Sequence, residues 1–416
     1  MNLAIKFLPI FFVHFIYILC YHSNDIYGDE IRYITYATNL SNGFYTASAN
    51  PYLVDGPGYP LFLTPFIALN IPLIIPKLLN AVFIFGSTLF LYKALVRYTS
   101  PNISLVCAYI LGLYFPFSTS VQYLNTEPLV ILLSCCFIYF TLRALKLKII
   151  KRIDLLVPAF LIGYIALTRL MFVYVLIGGI LFFTVYYAIF KNRRALYFLL
   201  ILILGSFVTI PYFLHTYQLT NRIFYVSSNG GEPLYWMSAK YPKEYGSWCG
   251  AKTVLTEQVP YMHPDRYTFL KAIDNKPWVE RNDLMMQQSV ENIRNDPRGY
   301  ALNVLASIMR LLLDYPYSYS SQNLMTYKYM FPNLVIVIPL LFSIYPAWVF
   351  RQQIPFEVTA LLIFAFIYTV GSALVGGTNR YFWPVIPTIL LWIGFIYGNF
   401  VQFSLTNRLA VKQDSL

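Results

Sequence analysis

Two adjacent carboxylates, Asp29 and Glu30, open a polar stretch, residues 28–60, that interrupts an apolar chain and closes on the turn Asp55-Gly56-Pro57-Gly58-Tyr59-Pro60. On a helix over this stretch, Asp29, Tyr33, Tyr36 and Leu40 share one face, and Glu30 points about a quarter-turn away. A carboxylate among aromatic rings is suited to take a proton as a general base. The same position suits a structural role, because acidic side chains in a first helical turn are favoured by the exposed amides and the macrodipole. Glu127 lies between Thr126 and Pro128 at the mouth of an apolar run. Carboxylates at that depth face cavities, and they also cap helix starts. Lys77, Arg169 and Arg380 are the cations of interest: they fall near the outer membrane surface, away from the other positive clusters. Guanidinium groups match phosphate bidentately, with snorkelling anchorage as the ordinary alternative. Tyr59, in the closing turn, and Tyr381, beside Arg380, complete the candidate set with Tyr33.

The elements that must hold these residues are membrane spans. The chain has 416 residues, of which 58% are hydrophobic and 12% charged, and its mean hydropathy is +0.57. That excludes a soluble globular protein. The net charge of +12 does not point to nucleic acid, because Lys and Arg gather in short clusters between apolar runs, as in cytoplasmic loops. The five cysteines and four histidines are scattered without metal-ligand spacing. A Cys20–Cys249 disulfide would need both thiols in an oxidising compartment, and unpaired cysteines are the default.

Read in order, 3–20 is a retained first span. Residues 21–60 lie outside, and 61–70 is apolar but too short to cross. Runs 78–96, 105–117 and 128–145 follow, the last ending in the basic cluster Arg143, Lys146, Lys148, Lys151 and Arg152. At ~1.5 Å per residue across ~30 Å of hydrocarbon, 155–190 holds two thin spans turning at Arg169. Run 195–214 goes out again. Residues 215–298 then form a folded outer loop or cap, with a helix expected over 283–295, and 300–313 is an interfacial helix or partial span. Runs 334–350, 356–375 and 382–400 complete an all-α polytopic membrane protein of about ten spans with both termini inside. The division is an N-terminal membrane module 1–214, a cap 215–298 and C-terminal spans 299–416. Arg408 and Lys412 in the tail agree with an inside C-terminus.

The order of motifs resembles the GT-C glycosyltransferases, particularly the bacterial relatives of protein O-mannosyltransferases and lipid A aminoarabinose transferases. GDEIRYITYATNLSNG after a first span is similar to the family's acidic first-loop motif. GPGYPLFLTPF looks like its proline and tyrosine turn, and PKLLNAVF like its next helix start, with Lys77 at a usually basic position. NTEPLVILL, ALTRLMFVY, SSNGGEPLYWMSAKYPKEYGSW and NRYFWPVIP resemble its later segments in order. Asp55 and Gly56 depart from the pattern, since many relatives carry Lys or Arg there.

The resemblance implies a polyprenyl-phosphate-linked sugar donor, a glycan, lipid or protein acceptor, and transfer at the outer face of a bacterial inner membrane. Asp29 would act as base, and Lys77, Arg169 and Arg380 would bind the lipid phosphate. Glu30 or Glu127 would orient the acceptor or a divalent metal, with metal use left open. Two other classes fit many spans. An O-antigen polymerase or ligase would place its essential residues in the large loop, at Arg266, His263 or Arg281. A transporter or flippase needs polar residues at mid-membrane and repeated halves, which are scarce here.

Overall fold

The computed structural model describes residues 3–401 apart from 148, 258, 260, 261, 318–323 and 329. Lys148, Arg408 and Lys412 therefore lie outside the described residues. Within them the secondary structure is helical, with no strand.

Eight helices are long and apolar enough to cross a bilayer: Leu3–Tyr21, Ile74–Leu95, Pro101–Val121, Glu127–Lys146, Met171–Phe190, Met330–Val349, Phe356–Val375 and Asn379–Phe400. Arg193–Phe207 and Ile210–Thr220 make a ninth, bent by 41°. A straight run was expected there. Pro211 sits in the first turn of the second segment, where it brings no backbone N–H and begins a new helix in a new direction. The remaining expected span is Arg152–Thr168, 17 residues long, which packs against Glu127–Lys146 and Arg193–Phe207. Helix starts follow local chemistry. Ser100 caps Pro101–Gly112 by accepting from the Ile103 amide, and Asp296 caps Pro297–Leu313 through the Gly299 amide.

The last span is the most enclosed, 83% buried, whereas the first is 22% buried. Ile5, Leu8, Phe12, Val13, Ile16 and Leu19 of the first helix all face outward. Such an apolar strip is tolerable against lipid and not against water. The chain is an integral, multi-pass membrane protein, and Asn379–Phe400 is the most enclosed of its described spans.

The cap contains helices Gly231–Ser238, Ala251–Thr256, Pro264–Ile273 and Trp278–Asn295. The expected helix thus begins five residues earlier, after the extended Pro277. A core of Tyr235, Trp236, Cys249, Leu270 and Met285 holds the cap together. Pro297–Leu313 joins it to the spans: Asn303 Nδ2 donates to the Met237 carbonyl at 3.0 Å and Arg310 Nη1 to the Tyr245 carbonyl at 2.8 Å. All five cysteines are free thiols, Cys20 at the surface and Cys249 in the cap core.

Candidate active site

The helix Asp29–Ser41 begins after Gly28, whose φ of 56° is in the region glycine favours, so the chain turns sharply into it, and the helical step of ~100° per residue sends the two adjacent carboxylates to different surroundings. Glu30 goes inward. It is 1% exposed, its Oε1 lies 3.3 Å from Lys77 Nζ and accepts the Leu124 amide at 2.8 Å, and its Oε2 accepts the Tyr27 amide at 3.2 Å. Lys77 Nζ also donates to the Ser23 carbonyl at 2.9 Å. The structure brings Glu30 and Lys77 to each other, behind the wall of the cavity.

Asp29 faces the cavity. Its Oδ1 is 3.0 Å from Arg32 Nη2 and its Oδ2 is 2.9 Å from Arg380 Nη1. Arg32 is anchored in turn, Nε donating to Asp55 Oδ2 at 2.7 Å. Arg380 arrives on the final span and reaches past Asp29: its Nε donates to Glu127 Oε1 at 2.8 Å, with Nη2 at 2.7 Å from the same oxygen. Arg169 also donates to Glu127 Oε1, and Ser120 Oγ donates to Oε2 at 3.1 Å. The result is a chain of alternating charge: Asp55, Arg32, Asp29, Arg380, Glu127, Arg169.

Arg169 sits in the break between Arg152–Thr168 and Met171–Phe190, its guanidinium 5.6 Å from the Tyr381 ring centre. The closing turn of the polar stretch fixes this break. A Cβ on Gly56 would come 2.0 Å from the Leu167 carbonyl oxygen, and one on Gly58 2.4 Å from Thr168 Oγ1. Glycine is required because backbone meets backbone. Tyr164 donates to the Gly58 carbonyl at 2.8 Å. Tyr59 is fully buried and meets Tyr33 edge-on at 5.1 Å, so Tyr33 lines the cavity and Tyr59 supports it from behind.

The cavity has a volume of about 1760 Å³ and lies between the spans and the cap. Asp29, Arg32, Tyr33 and Asp55 line one side, Arg169, Arg380 and Tyr381 another, and Glu232, Trp248, Trp278 and Arg281 reach in from the cap. Burial pushes the Asp29 carboxyl up, but the guanidiniums of Arg380 and Arg32 outweigh it and hold the group below the usual carboxylate range. Burial keeps Asp55 raised despite Arg32. A divalent metal does not fit these residues: the Glu30 and Glu127 carboxylates are already occupied by the chain's own cations and amides, and among the described residues no three His, Cys, Asp or Glu side chains are grouped to hold an ion.

Sequence reasoning missed the Arg32–Asp55 pair and the cap's share of the wall. The i, i+3 spacing of Asp29 and Arg32 signals only their own contact; no spacing signal marks the reach of Arg32 to Asp55. Of the large-loop residues, Arg266 is a brace inside the cap, donating to the Tyr235 carbonyl at 2.7 Å and to Glu244 Oε2 at 3.2 Å. The His263 ring stacks on Tyr241 at 4.0 Å. Arg281 alone of the three lines the cavity.

Multiple spans, an acidic helix after the first of them and a helical cap over the cavity make up the fold. The chain is similar to the oligosaccharyltransferase from Archaeoglobus fulgidus, solved with a tethered acceptor peptide, with a TM-score of 0.51 and 11% identity, over 94% of this chain and 49% of that one. It is also similar to ArnT from Cupriavidus metallidurans bound to undecaprenyl phosphate, with a TM-score of 0.41 and 14% identity, over 95% of this chain and 77% of that one. The chain spans about half the length of the oligosaccharyltransferase. No family model and no curated protein matches the sequence.

Proposed function

We propose that the protein is a membrane glycosyltransferase that moves a sugar from a polyprenyl-phosphate donor to an acceptor hydroxyl at the outer face of a bacterial inner membrane. The observation that carries this reading is the placement of a carboxylate, Asp29, against the cavity-facing guanidinium of Arg380, which meets a second, Arg169, at Glu127. A base and an anion-binding pair at one site are what displacement of a phosphate leaving group requires. The cavity volume of about 1760 Å³ exceeds the ~300–1,000 Å³ of a typical small-molecule pocket, in keeping with two substrates meeting there.

In the proposed step, Asp29 accepts the proton of the acceptor hydroxyl as its oxygen bonds to the anomeric carbon. The bond from that carbon to the phosphate oxygen breaks, and its electron pair leaves with the polyprenyl phosphate. Arg380 and Arg169 stabilise the charge that grows on the phosphate. A single displacement inverts the anomeric centre. Lys77, paired with Glu30 away from the cavity, serves the frame instead. The cap residues Trp248, Trp278 and Glu232 form the acceptor side, and the acceptor is a glycan, a lipid or a protein.

The test compares surface glycans, lipids and glycoproteins by mass spectrometry among wild-type, deletion and Asp29→Asn strains. The expected outcome is one sugar missing from one fraction in both altered strains, with the Asp29→Asn protein present in the membrane. A full complement of sugars in the Asp29→Asn strain overturns the reading.

A further inference from the structure

We propose that Arg32, clamped by Asp55, is a positioning residue that keeps hold of Asp29 Oδ1 while the donor phosphate draws Arg380 away from Oδ2, so that donor loading frees the basic oxygen. The inference rests on the donor reading above and adds an order of events to it.

The two guanidiniums on Asp29 are tethered differently. Arg32 Nε is bonded to Asp55 Oδ2 at 2.7 Å, and Asp55 sits in the turn whose Gly56 abuts the Leu167 backbone. Swinging this arm away would break its bond to Asp55 and leave that carboxylate, 16% exposed at the side chain, without its guanidinium. Arg380 has a side chain 42% exposed, lines the cavity and is shared, with Nη1 on Asp29 and Nε and Nη2 on Glu127. Loss of the Nη1 contact leaves it held at Glu127. A phosphate oxygen entering between Arg380 and Arg169 therefore competes with Asp29 for one N–H and leaves the rest of the lattice in place.

With both arms engaged, each Asp29 oxygen carries a charged donor, which disfavours protonation. The charged and titratable groups facing Asp29 are Arg32 on its own helix, Arg380 on the last span, Asp55 in the turn, and the Tyr33 and Tyr52 phenols. Of the two guanidiniums, Arg380 is the more exposed, 42% against 28% at the side chain, and it shares Glu127 with Arg169, so it is the one that an anion entering between Arg380 and Arg169 meets. Withdrawing it makes Oδ2 a stronger base at the moment the leaving group is seated, and the acceptor is not deprotonated before the donor is present.

The test is difference infrared spectroscopy of the purified full-length protein in nanodiscs, following the Asp29 carboxyl band with pH, with and without undecaprenyl phosphate. The band is assigned by its loss in Asp29→Asn. In the wild type the Asp29 midpoint is expected to rise by about one pH unit or more when the lipid binds, as removal of an adjacent opposite charge predicts. Arg380→Gln should start with a raised midpoint and no longer respond. Arg32→Gln should also start raised yet still respond. Asp55→Asn, which keeps the Arg32 charge but loosens its anchor, should respond more strongly than wild type. If native mass spectrometry shows the lipid bound and the Asp29 midpoint stays fixed, the exchange is wrong while the donor reading stands. If undecaprenyl phosphate does not bind at all, both fall.

Discussion

Asp29 and Glu30 are neighbours on one helix, yet they belong to two kinds of ion pair. Glu30 and Lys77 are almost wholly excluded from solvent, and their remaining hydrogen-bonding capacity goes to the backbone of the Tyr27, Leu124 and Ser23 positions. Asp29 and Arg380 are 26% and 42% exposed at the side chain, and Arg380 is divided between two carboxylates. A closed pair resists exchange, because removing one partner strands a buried charge. An open pair can pass a contact to an incoming ligand. The helix thus separates a buried framework pair from an open one by a single residue step, with Glu30 facing the protein and Asp29 facing the cavity.

The comparison breaks most visibly through Asp29→Asn, for which sugar transfer in membranes or nanodiscs is expected to fall by about 10³-fold or more, with the melting profile retained. Lys77→Met should do the reverse. Leaving Glu30 unpaired is expected to cost about 3–5 kcal/mol of stability, read as a lower detergent melting temperature, with folded molecules still turning over; adding Glu30→Gln should restore much of the loss. Gly58→Ala lies between the two classes. Its methyl would collide with the Thr168 backbone and hydroxyl, for an expected ~1–3 kcal/mol and a raised donor KM as Arg169 shifts.

The smallest effect concerns Asp314, which lines the same cavity after the end of Pro297–Leu313. Burial pushes its carboxyl up to about 6, against the hydrogen bond from Tyr317. A pKa raised in the folded state means that the folded form binds a proton the unfolded form has lost. Stability therefore declines as pH rises from ~4, the unfolded value, to about 6. Asp314→Asn, which removes the charge, should be more stable than wild type above that window and equal to it below. Thermal melts at several pH values check the sign.

Much of the frame was legible in the sequence because a bilayer imposes a length and polarity rule on every span. Arg169 fell at a helix break as its position within the 155–190 run indicated, and the polar loop proved to be a cap with its own core. The bend after Phe207 and the extra turn from Trp278 were harder to read, since both depend on local proline geometry within continuous patterns. The site was legible in its types and not in its pairings. Nothing in the spacing says that Lys77 turns to Glu30, or that Arg32 reaches Asp55, because those choices are made by packing between segments distant in the chain. Arg380 was marked by its departure from the charge bias and by the NRYFWPVIP segment, and neither signal showed that it bridges Asp29 and Glu127.

That Arg380 comes on the most enclosed of the described spans, 253 residues after Glu127, has a consequence for synthesis. Until this helix has left the ribosome and entered the membrane, Asp29 lacks one of its two cationic partners and Glu127 has Arg169 alone. The nascent protein therefore carries an unfinished acidic centre until that span is inserted.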